Sequence, residues 1–215
     1  MAEELGHPAQ PRLRGRLHLV AALLSVDGLV WLVTAAGTWQ ERLAAWVYGL
    51  AALLLYATSS GYHVFAKKEH TRRVMRSLDH SMIYVLIAGS FTPICVLAMT
   101  GGARWAVLLM MWSVALVGVA IALVALDRFR RLNFALYLVL GWAAVVAVPS
   151  LLEQPAKLAM MLVAGLLYTV GAVLFSLNKP RFHPGWFGYH EVWHAIGVSA
   201  GTLLFVVNLG LVSGT

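Results

Sequence analysis

The sequence has few charged residues and almost no cysteine. Asp, Glu, Lys and Arg make up 12% of its 215 residues, about half of the roughly 25% that is usual in a soluble domain. This shortage excludes an ordinary cytosolic enzyme, a disordered chain and a nucleic-acid binder of the usual kind. The single cysteine, Cys95, excludes an intramolecular disulfide, so the fold does not depend on an oxidising compartment.

Apolar residues are in large excess. They account for 60% of the chain, and the mean hydropathy is +0.78. One membrane-spanning helix needs roughly 20 apolar residues, so seven helices would use about 140 to 155 residues and leave no room for a separate soluble domain. The hydrophobic pattern is helical, whereas an outer-membrane barrel would show alternating strands of ~10 residues. We therefore predict an all-α integral membrane protein.

Seven apolar stretches, separated by turn and charge signals, predict seven transmembrane helices. Residues 1–16 are predicted to form a cytoplasmic N-terminal tail, and residues 17–211 the transmembrane domain. The helices are predicted at about 17–36, 43–65, 80–100, 104–126, 132–152, 157–177 and 189–211.

Basic residues are distributed unequally between the two ends of these helices. The tail and the second, fourth and sixth loops carry 13 Lys and Arg residues, whereas the other side carries only Arg42, Arg104 and Lys157. Cytoplasmic segments are the ones enriched in Lys and Arg. We therefore predict a multi-pass protein of a bacterial inner (plasma) membrane, with a cytoplasmic N-terminus and a C-terminus outside. In this interpretation the basic residues behind the net charge of +7 determine the orientation in the membrane, and the charge does not indicate nucleic-acid binding.

Ionisable residues inside the predicted helices are costly in lipid, so each is a functional candidate. His63, Asp79, His190 and His194 all fall near the cytoplasmic ends of helices 2, 3 and 7. Topology alone therefore brings them to one depth of the bilayer. His190 and His194 are spaced i, i+4 and share one helix face, and the same spacing relates Ser59 to His63.

This grouping of residues suits zinc. Three neutral imidazoles at ~2.0–2.1 Å would leave a fourth tetrahedral position for water, and zinc lowers the pKa of such a water towards ~7. His63, His190 and His194 are the predicted ligands. Asp79 is the predicted general base, and Ser59 the predicted partner of the water or of a substrate carbonyl.

The run from His190 to His194 also fits H-E-x-x-H, the zinc metalloprotease signature. In that alternative Glu191 is the general base, and Asp79 could be the third ligand. The two alternatives share two zinc-binding histidines and differ in the base.

Other polar residues receive structural interpretations. His18, His80 and His183 are interpreted as interfacial histidines that snorkel or form hydrogen bonds. Asp27 lies near mid-membrane in helix 1, where we expect a hydrogen bond to a neighbouring helix. The run G-S-F-T-P at 89–93 predicts a close helix contact and a kink at its proline.

The ordered motifs resemble the hemolysin III family of the progestin and adipoQ receptor superfamily, which is related to the alkaline ceramidases. They are S-S-G-Y-H-V-F at 59–65, L-D-H at 78–80, G-S-F-T-P at 89–93 and H-E-V-W-H at 190–194, and the resemblance covers about residues 12–210. It implies seven helices with a cytoplasmic N-terminus, and zinc held by His63, His190 and His194. It also implies that Asp79 and Ser59 contact the zinc-bound water. Position 191 is not among the family's ligands, and helix 1 keeps only His18 of the family pattern there.

We therefore expect a zinc-dependent membrane hydrolase, similar to a ceramidase, that cleaves a lipid amide or ester in membrane lipid homeostasis. Membrane lipids are the expected substrates or ligands, and no nucleic-acid partner is expected. The first alternative is a receptor-like protein without enzymatic activity, in which zinc only links helices. The others are a cytolytic or channel protein and, less favoured, an intramembrane metalloprotease.

The predicted orientation can be tested with reporter fusions after Thr215. Alkaline phosphatase fused there should be active, because it folds only outside the cytoplasm, and green fluorescent protein fused there should stay dark. A fluorescent, phosphatase-negative pair of fusions would contradict the orientation that the basic residues predict.

Overall fold

A computed structural model describes residues 11–180, 182–183 and 185–215. Residues 1–10 of the predicted tail and Arg181, one of the basic residues counted above, lie outside the described residues. Within the described part of the chain, seven helices are long and apolar enough to cross a membrane. This confirms the prediction of an all-α protein with seven spans.

The helices are numbered in chain order, and three of them continue into a tighter or wider helical turn. They are α1 (Arg16–Ala35), α2 (Trp39–Ser60, then a π-helical turn Gly61–Phe65), α3 (Glu69–Pro93, then a π-helical turn Ile94–Ala98), α4 (Ala103–Ala125), α5 (Arg130–Trp142, then a 3-10 segment Ala143–Leu151), α6 (Pro155–Ser176) and α7 (Tyr189–Val212).

Helix α3 begins at Glu69, well before the predicted start near residue 80. Its first turns are charged, so hydropathy alone does not detect them. A glutamate in the first turn favours a helix N-terminus electrostatically, and Glu69 also accepts a hydrogen bond from Arg73 at 3.2 Å, one turn further on. Three basic residues that the sequence placed in a loop therefore belong to the helix, namely Arg72, Arg73 and Arg76.

Arg76 ties the start of α3 to the turn between α4 and α5. Its guanidinium donates two hydrogen bonds to the Asp127 carboxylate, at 2.8 and 3.2 Å. This pairing lowers the pKa of the Asp127 carboxyl below its usual value. The contact holds α3 and α4 together at the same end of the bundle as Asp79.

Small residues let the helices approach closely. A Cβ added at Gly89 on α3 would lie 2.5 Å from the Cβ of Ala51 on α2, so the run at 89–93 does make the expected close contact. Directly after Pro93 the helix widens into a π-helical turn, which is a common response where proline removes a backbone donor. Gly118 on α4 likewise receives the ring of Tyr84 from α3.

The Gly118 contact predicts a large effect from a small substitution. Tyr84 is fully buried and donates a 2.8 Å hydrogen bond to Asn133 Oδ1, so its ring cannot move away from a new methyl group. Gly118→Ala should therefore destabilise the fold by about 1–3 kcal/mol and lower the thermal unfolding temperature in detergent.

Gly165→Ala is the matched control, because nothing lies within 4 Å of a Cβ at that position of α6. Equal unfolding temperatures for the two variants would contradict the packing described for α3 and α4.

Candidate metal centre

Three histidines meet at one end of the bundle. His63 lies in the π-helical turn that ends α2, and His190 and His194 lie in the first turns of α7. One ring nitrogen from each lies within 4.8 Å of the others, and the Nε2 atoms of His63 and His190 are 3.1 Å apart. The fold thus brings together the three histidine side chains that spacing and depth predicted to meet.

The donor set fits a zinc ion. Two nitrogens bound tetrahedrally at ~2.05 Å would be about 3.3 Å apart, close to the 3.1 Å between His63 and His190. Imidazole nitrogens suit zinc, copper, iron and nickel, and they do not suit the hard cations that prefer oxygen. These residues could therefore hold one transition-metal ion.

The π-helical turn helps to place His63. A hydrogen bond of 3.0 Å runs from the Ala66 amide to the Gly61 carbonyl, five residues back. The wider turn shifts His63 around the helix axis relative to Ser59, which belongs to the preceding regular helix. Single π-helical turns of this kind are frequent at functional sites.

Asp79 lies beside the histidines, on α3. Its Oδ2 is 3.8 Å from His63 Nε2, which is too far for a hydrogen bond but close enough for a charge to be felt. The two side chains are only 15% and 5% exposed, respectively. The predicted general base therefore adjoins the three histidines, in a place where electrostatic effects are strong.

His18 also belongs to this cluster, although the sequence did not reveal it. Its ring stacks on that of His194, with centroids 3.8 Å apart and planes 7° from parallel. Its Nδ1 lies 2.8 Å from Ser59 Oγ, so the two share a hydrogen bond. The sequence interpretation of His18 as an interfacial, hydrogen-bonded histidine is right about the hydrogen bond. His18 is buried, however, and it contacts two predicted site residues, Ser59 and His194. The one sequence signal that could have assigned His18 to the site is the family pattern in helix 1, of which this chain keeps only His18.

Glu191 serves α7 and the N-terminal segment. Its Oε2 accepts a 2.7 Å hydrogen bond from the Gly188 amide, which caps the helix. Its Oε1 accepts a 2.5 Å charge-assisted hydrogen bond from Arg14, and its side chain is only 1% exposed. Both oxygens are therefore engaged away from the three clustered nitrogens, so this geometry does not favour the protease alternative.

The segment before α1 lies against the start of α7. Backbone hydrogen bonds join the amides of Arg12 and Leu13 to the carbonyls of Gly185 and Trp186, and the Arg12 guanidinium lies over the Trp186 ring. Gly15 then takes a left-handed φ of 75°, and a Cβ there would collide with His63. Glycine is the residue that accommodates both demands.

Three further residues lie apart from the metal centre. His80 Nδ1 is hydrogen-bonded to the Arg76 carbonyl at 2.9 Å, and His183 is exposed in the loop before α7, in line with their structural interpretation. Asp27 has no hydrogen bond or ion pair with any described residue and faces outwards. The expected bond from Asp27 to a neighbouring helix of the same chain was therefore wrong.

Comparison with known proteins adds independent information. The profile of the haemolysin-III related family matches residues 7–206. The chain is 32% identical over 193 residues to the Hemolysin-3 homolog of Bacillus subtilis, covering 87% of each chain. It is 31% identical to Hemolysin-3 of Bacillus cereus, covering 87% of this chain and 85% of that protein. It is also 25% identical to the human Monocyte to macrophage differentiation factor, covering 76% and 68% respectively.

The contacts of His18 predict a measurable effect on metal binding. His18→Ala removes both the stack on His194 and the bond to Ser59, so it should weaken binding about 10- to 100-fold. His18→Phe keeps a flat ring against His194 and should recover most of the affinity. Competition with a chelator measures the affinity, and the visible spectrum of bound Co²⁺ reports the ligand geometry.

His80→Phe is the control, because His80 is partly buried at the same end of α3, is bonded to the Arg76 carbonyl, and among the described residues forms no hydrogen bond or ring contact with the three clustered histidines. Wild-type affinity and spectrum in His18→Ala would show that the stack does not orient His194.

Proposed function

The chain belongs to the haemolysin-III related family, as its motifs predicted, and from that premise we propose that it is a zinc-dependent hydrolase of lipid amides or esters. Its family, its seven spans and its Bacillus relatives identify it as a bacterial integral membrane protein. The proposal concerns the metal, the reaction and the substrate.

The observation that carries the proposal is the meeting of three imidazoles and one carboxylate. His63, His190 and His194 each bring a ring nitrogen to within 4.8 Å of the others, and the Asp79 carboxylate lies 3.8 Å from His63. Three neutral ligands with a separate acid–base group are typical of hydrolytic zinc centres, whereas purely structural zinc sites usually have four protein ligands.

The metal would supply a Lewis acid that polarises a carbonyl and makes water more acidic. Asp79 Oδ2 would accept a proton from the attacking water as the C–O bond forms. The same carboxyl would then give that proton to the leaving nitrogen or oxygen as the C–N or C–O bond to it breaks. One residue can thus act first as a base and then as an acid.

Ser59 and His18 would orient the reacting groups. The hydrogen bond between Ser59 Oγ and His18 Nδ1 fixes the position of the hydroxyl. The Ser59 hydroxyl has one proton to donate. It can donate to a substrate carbonyl oxygen only when it is not already donating to His18, so the tautomer of His18 decides the role of Ser59. With Nδ1 protonated, His18 donates to Ser59, and the Ser59 hydroxyl can then donate either to the substrate or to the neighbouring Asp79 carboxylate.

The position of the centre favours a lipid substrate. The histidines lie within the first turns of α7 and the last turn of α2, in helices whose outer surfaces are apolar. A lipid headgroup linkage lies at a similar depth, at the boundary between the hydrocarbon and the polar region. Membrane lipids are therefore the proposed substrates, and membrane lipid homeostasis the proposed role.

Two alternatives have support of their own. Because His63 ends α2 and His190 begins α7, a metal there would join two helices, as in a receptor-like protein with structural zinc. The name Hemolysin-3 of the Bacillus cereus relative also raises a cytolytic or channel activity. Turnover of lipid and leakage of liposomes distinguish these functions.

The proposal predicts metal-dependent turnover that requires Asp79. Purified protein in lipid should hydrolyse a fluorescent ceramide-type amide or a matching ester, and a chelator should abolish the activity. Asp79→Asn removes the proton acceptor, so it should lower kcat about 10²- to 10⁴-fold while zinc content stays the same.

Glu191→Gln is the control that separates the protease mechanism, because it keeps the helix cap and removes the carboxylate. It should retain lipid turnover if correctly folded. Wild-type turnover in Asp79→Asn, or none in Glu191→Gln with its metal retained, would contradict the proposed acid–base role.

A further inference from the structure

A short segment, residues 11–15, crosses the end of the bundle that carries the metal centre, and we call it the strap. Its first half lies along the loop before α7. The Arg12 amide donates to the Gly185 carbonyl at 3.1 Å, and the Leu13 amide donates to the Trp186 carbonyl at 3.4 Å. The Arg12 guanidinium lies 4.7 Å from the centroid of the Trp186 ring. This half is therefore attached to the chain that leads into α7.

The second half of the strap reaches both helices that supply the clustered histidines. Arg14 Nε donates to Glu191 Oε1 at 2.5 Å, and Glu191 is the neighbour of His190 on α7. Gly15 then packs on the end of α2, since a Cβ at that position would lie 2.5 Å from the Cβ of His63. The strap thus spans the two elements that a metal ion would join.

The residues beneath the strap are almost closed to solvent. The Glu191 side chain is 1% exposed and the Arg14 side chain 18%, while the His63 side chain is 5% exposed. His194 is buried as well. A hydrated metal ion needs more room than this surface offers, so a local opening must come before metal exchange.

The strap is the covering element that costs least to open. In the described part of the chain, it is held to α7 and the preceding loop by two backbone hydrogen bonds, one ring contact and one ion pair. Helices α2 and α7, by contrast, span the bundle and pack against several neighbours. Short segments with few contacts open at the lowest free energy. Gly15 ends the strap at a φ of 75°, where glycine provides a suitable pivot.

We propose that the strap gates the metal centre: Arg14 leaves Glu191, the segment turns about Gly15, and the three histidines become open to metal exchange from that side. This inference rests on the proposed metal centre but not on the hydrolase reaction. It assigns to the Arg14–Glu191 pair a kinetic role, in addition to its place in the folded structure.

A gate has a kinetic signature that separates it from simple support of the ligands. Weakening the closed strap equally in the loaded and the empty protein favours opening in both. The rates of metal uptake and release then rise by the same factor, and the Kd, which is their ratio, stays nearly constant. Loss of ligand orientation instead weakens the Kd, as expected for His18→Ala.

Stopped-flow mixing measures both rates. Zinc-loaded protein mixed with excess fluorescent chelator gives the release rate, and empty protein mixed with zinc gives the uptake rate. Arg14→Gln should raise both rates about 10- to 100-fold, because it removes a charge-assisted hydrogen bond. Arg12→Gln should raise both about 2- to 5-fold, because it removes a cation–π contact at an exposed site. It leaves the Arg14–Glu191 pair intact, so it remains informative if Arg14→Gln does not fold.

Arg16→Gln is the matched control, because Arg16 is an exposed basic residue at the start of α1. It removes the same charge from the same end of the chain and should leave both rates unchanged. Wild-type rates in Arg14→Gln and Arg12→Gln would overturn the gate. Faster release with unchanged uptake would also overturn it, since Arg14 would then support the ligands. Equal acceleration in Arg16→Gln would reduce the effect to net charge, with the same consequence.

A cysteine beneath the strap reports opening without any metal. A Cβ at position 15 would lie 3.1 Å from Val64 Cγ2, so Val64→Cys would be covered on that side. Its alkylation by a bulky maleimide should be about 3- to 10-fold faster with Arg14→Gln. Glu69→Cys, at a position 89% exposed, should react equally in both backgrounds, and the native Cys95 is buried.

The two readouts separate the failure of the gate from the failure of the metal centre. A wild type that binds no zinc would overturn the metal centre and the gate with it. Unchanged exchange in zinc-binding protein, or unchanged alkylation of Val64→Cys, would overturn the gate alone.

Discussion

The structure depends on one constraint: a polar group placed in hydrocarbon must find a partner, because no water is available to it. The seven helices pair the backbone N–H and C=O groups of the spans in internal hydrogen bonds. Most of the remaining polar side chains gather where helices meet, and among the described residues a large group surrounds His63, His190 and His194. Asp79, Ser59 and His18 complete it at the same end of the bundle. The candidate active site is thus also the place where the costliest side chains of the bundle satisfy one another.

The N-terminal segment is part of that arrangement. Arg14 gives the buried Glu191 carboxylate its charged partner, and Glu191 in turn caps the helix that carries His190 and His194. Gly15 lets the chain pass directly over His63 before α1 begins. A segment that looks like a short polar tail therefore supports the start of α7. Truncating it would leave a buried carboxylate without its cation, which is costly in a site of low dielectric constant.

Much of this could be predicted from the sequence, because it follows from composition and spacing. Hydropathy identified seven spans, and the depth of His63, Asp79, His190 and His194 followed from their positions in those spans. Contacts that depend on which helix faces meet could not be predicted in this way. His18 and Ser59 are 41 residues apart, and nothing in the spacing of either pairs them. Hydropathy also missed the charged start of α3, and it cannot tell which face of α1 carries Asp27, since α1 is apolar all round.

The most direct test of the account is the metal content of the purified protein, measured by mass spectrometry without chelators. Wild type should carry one equivalent of zinc, and the His63→Ala/His190→Ala/His194→Ala triple variant should carry none, because three imidazoles supply the binding. The triple variant must remain folded, as judged by its helical circular dichroism. A folded wild type without transition metal, or a triple variant that keeps its zinc, would contradict the metal centre. The histidines would then be a polar packing cluster in the bundle.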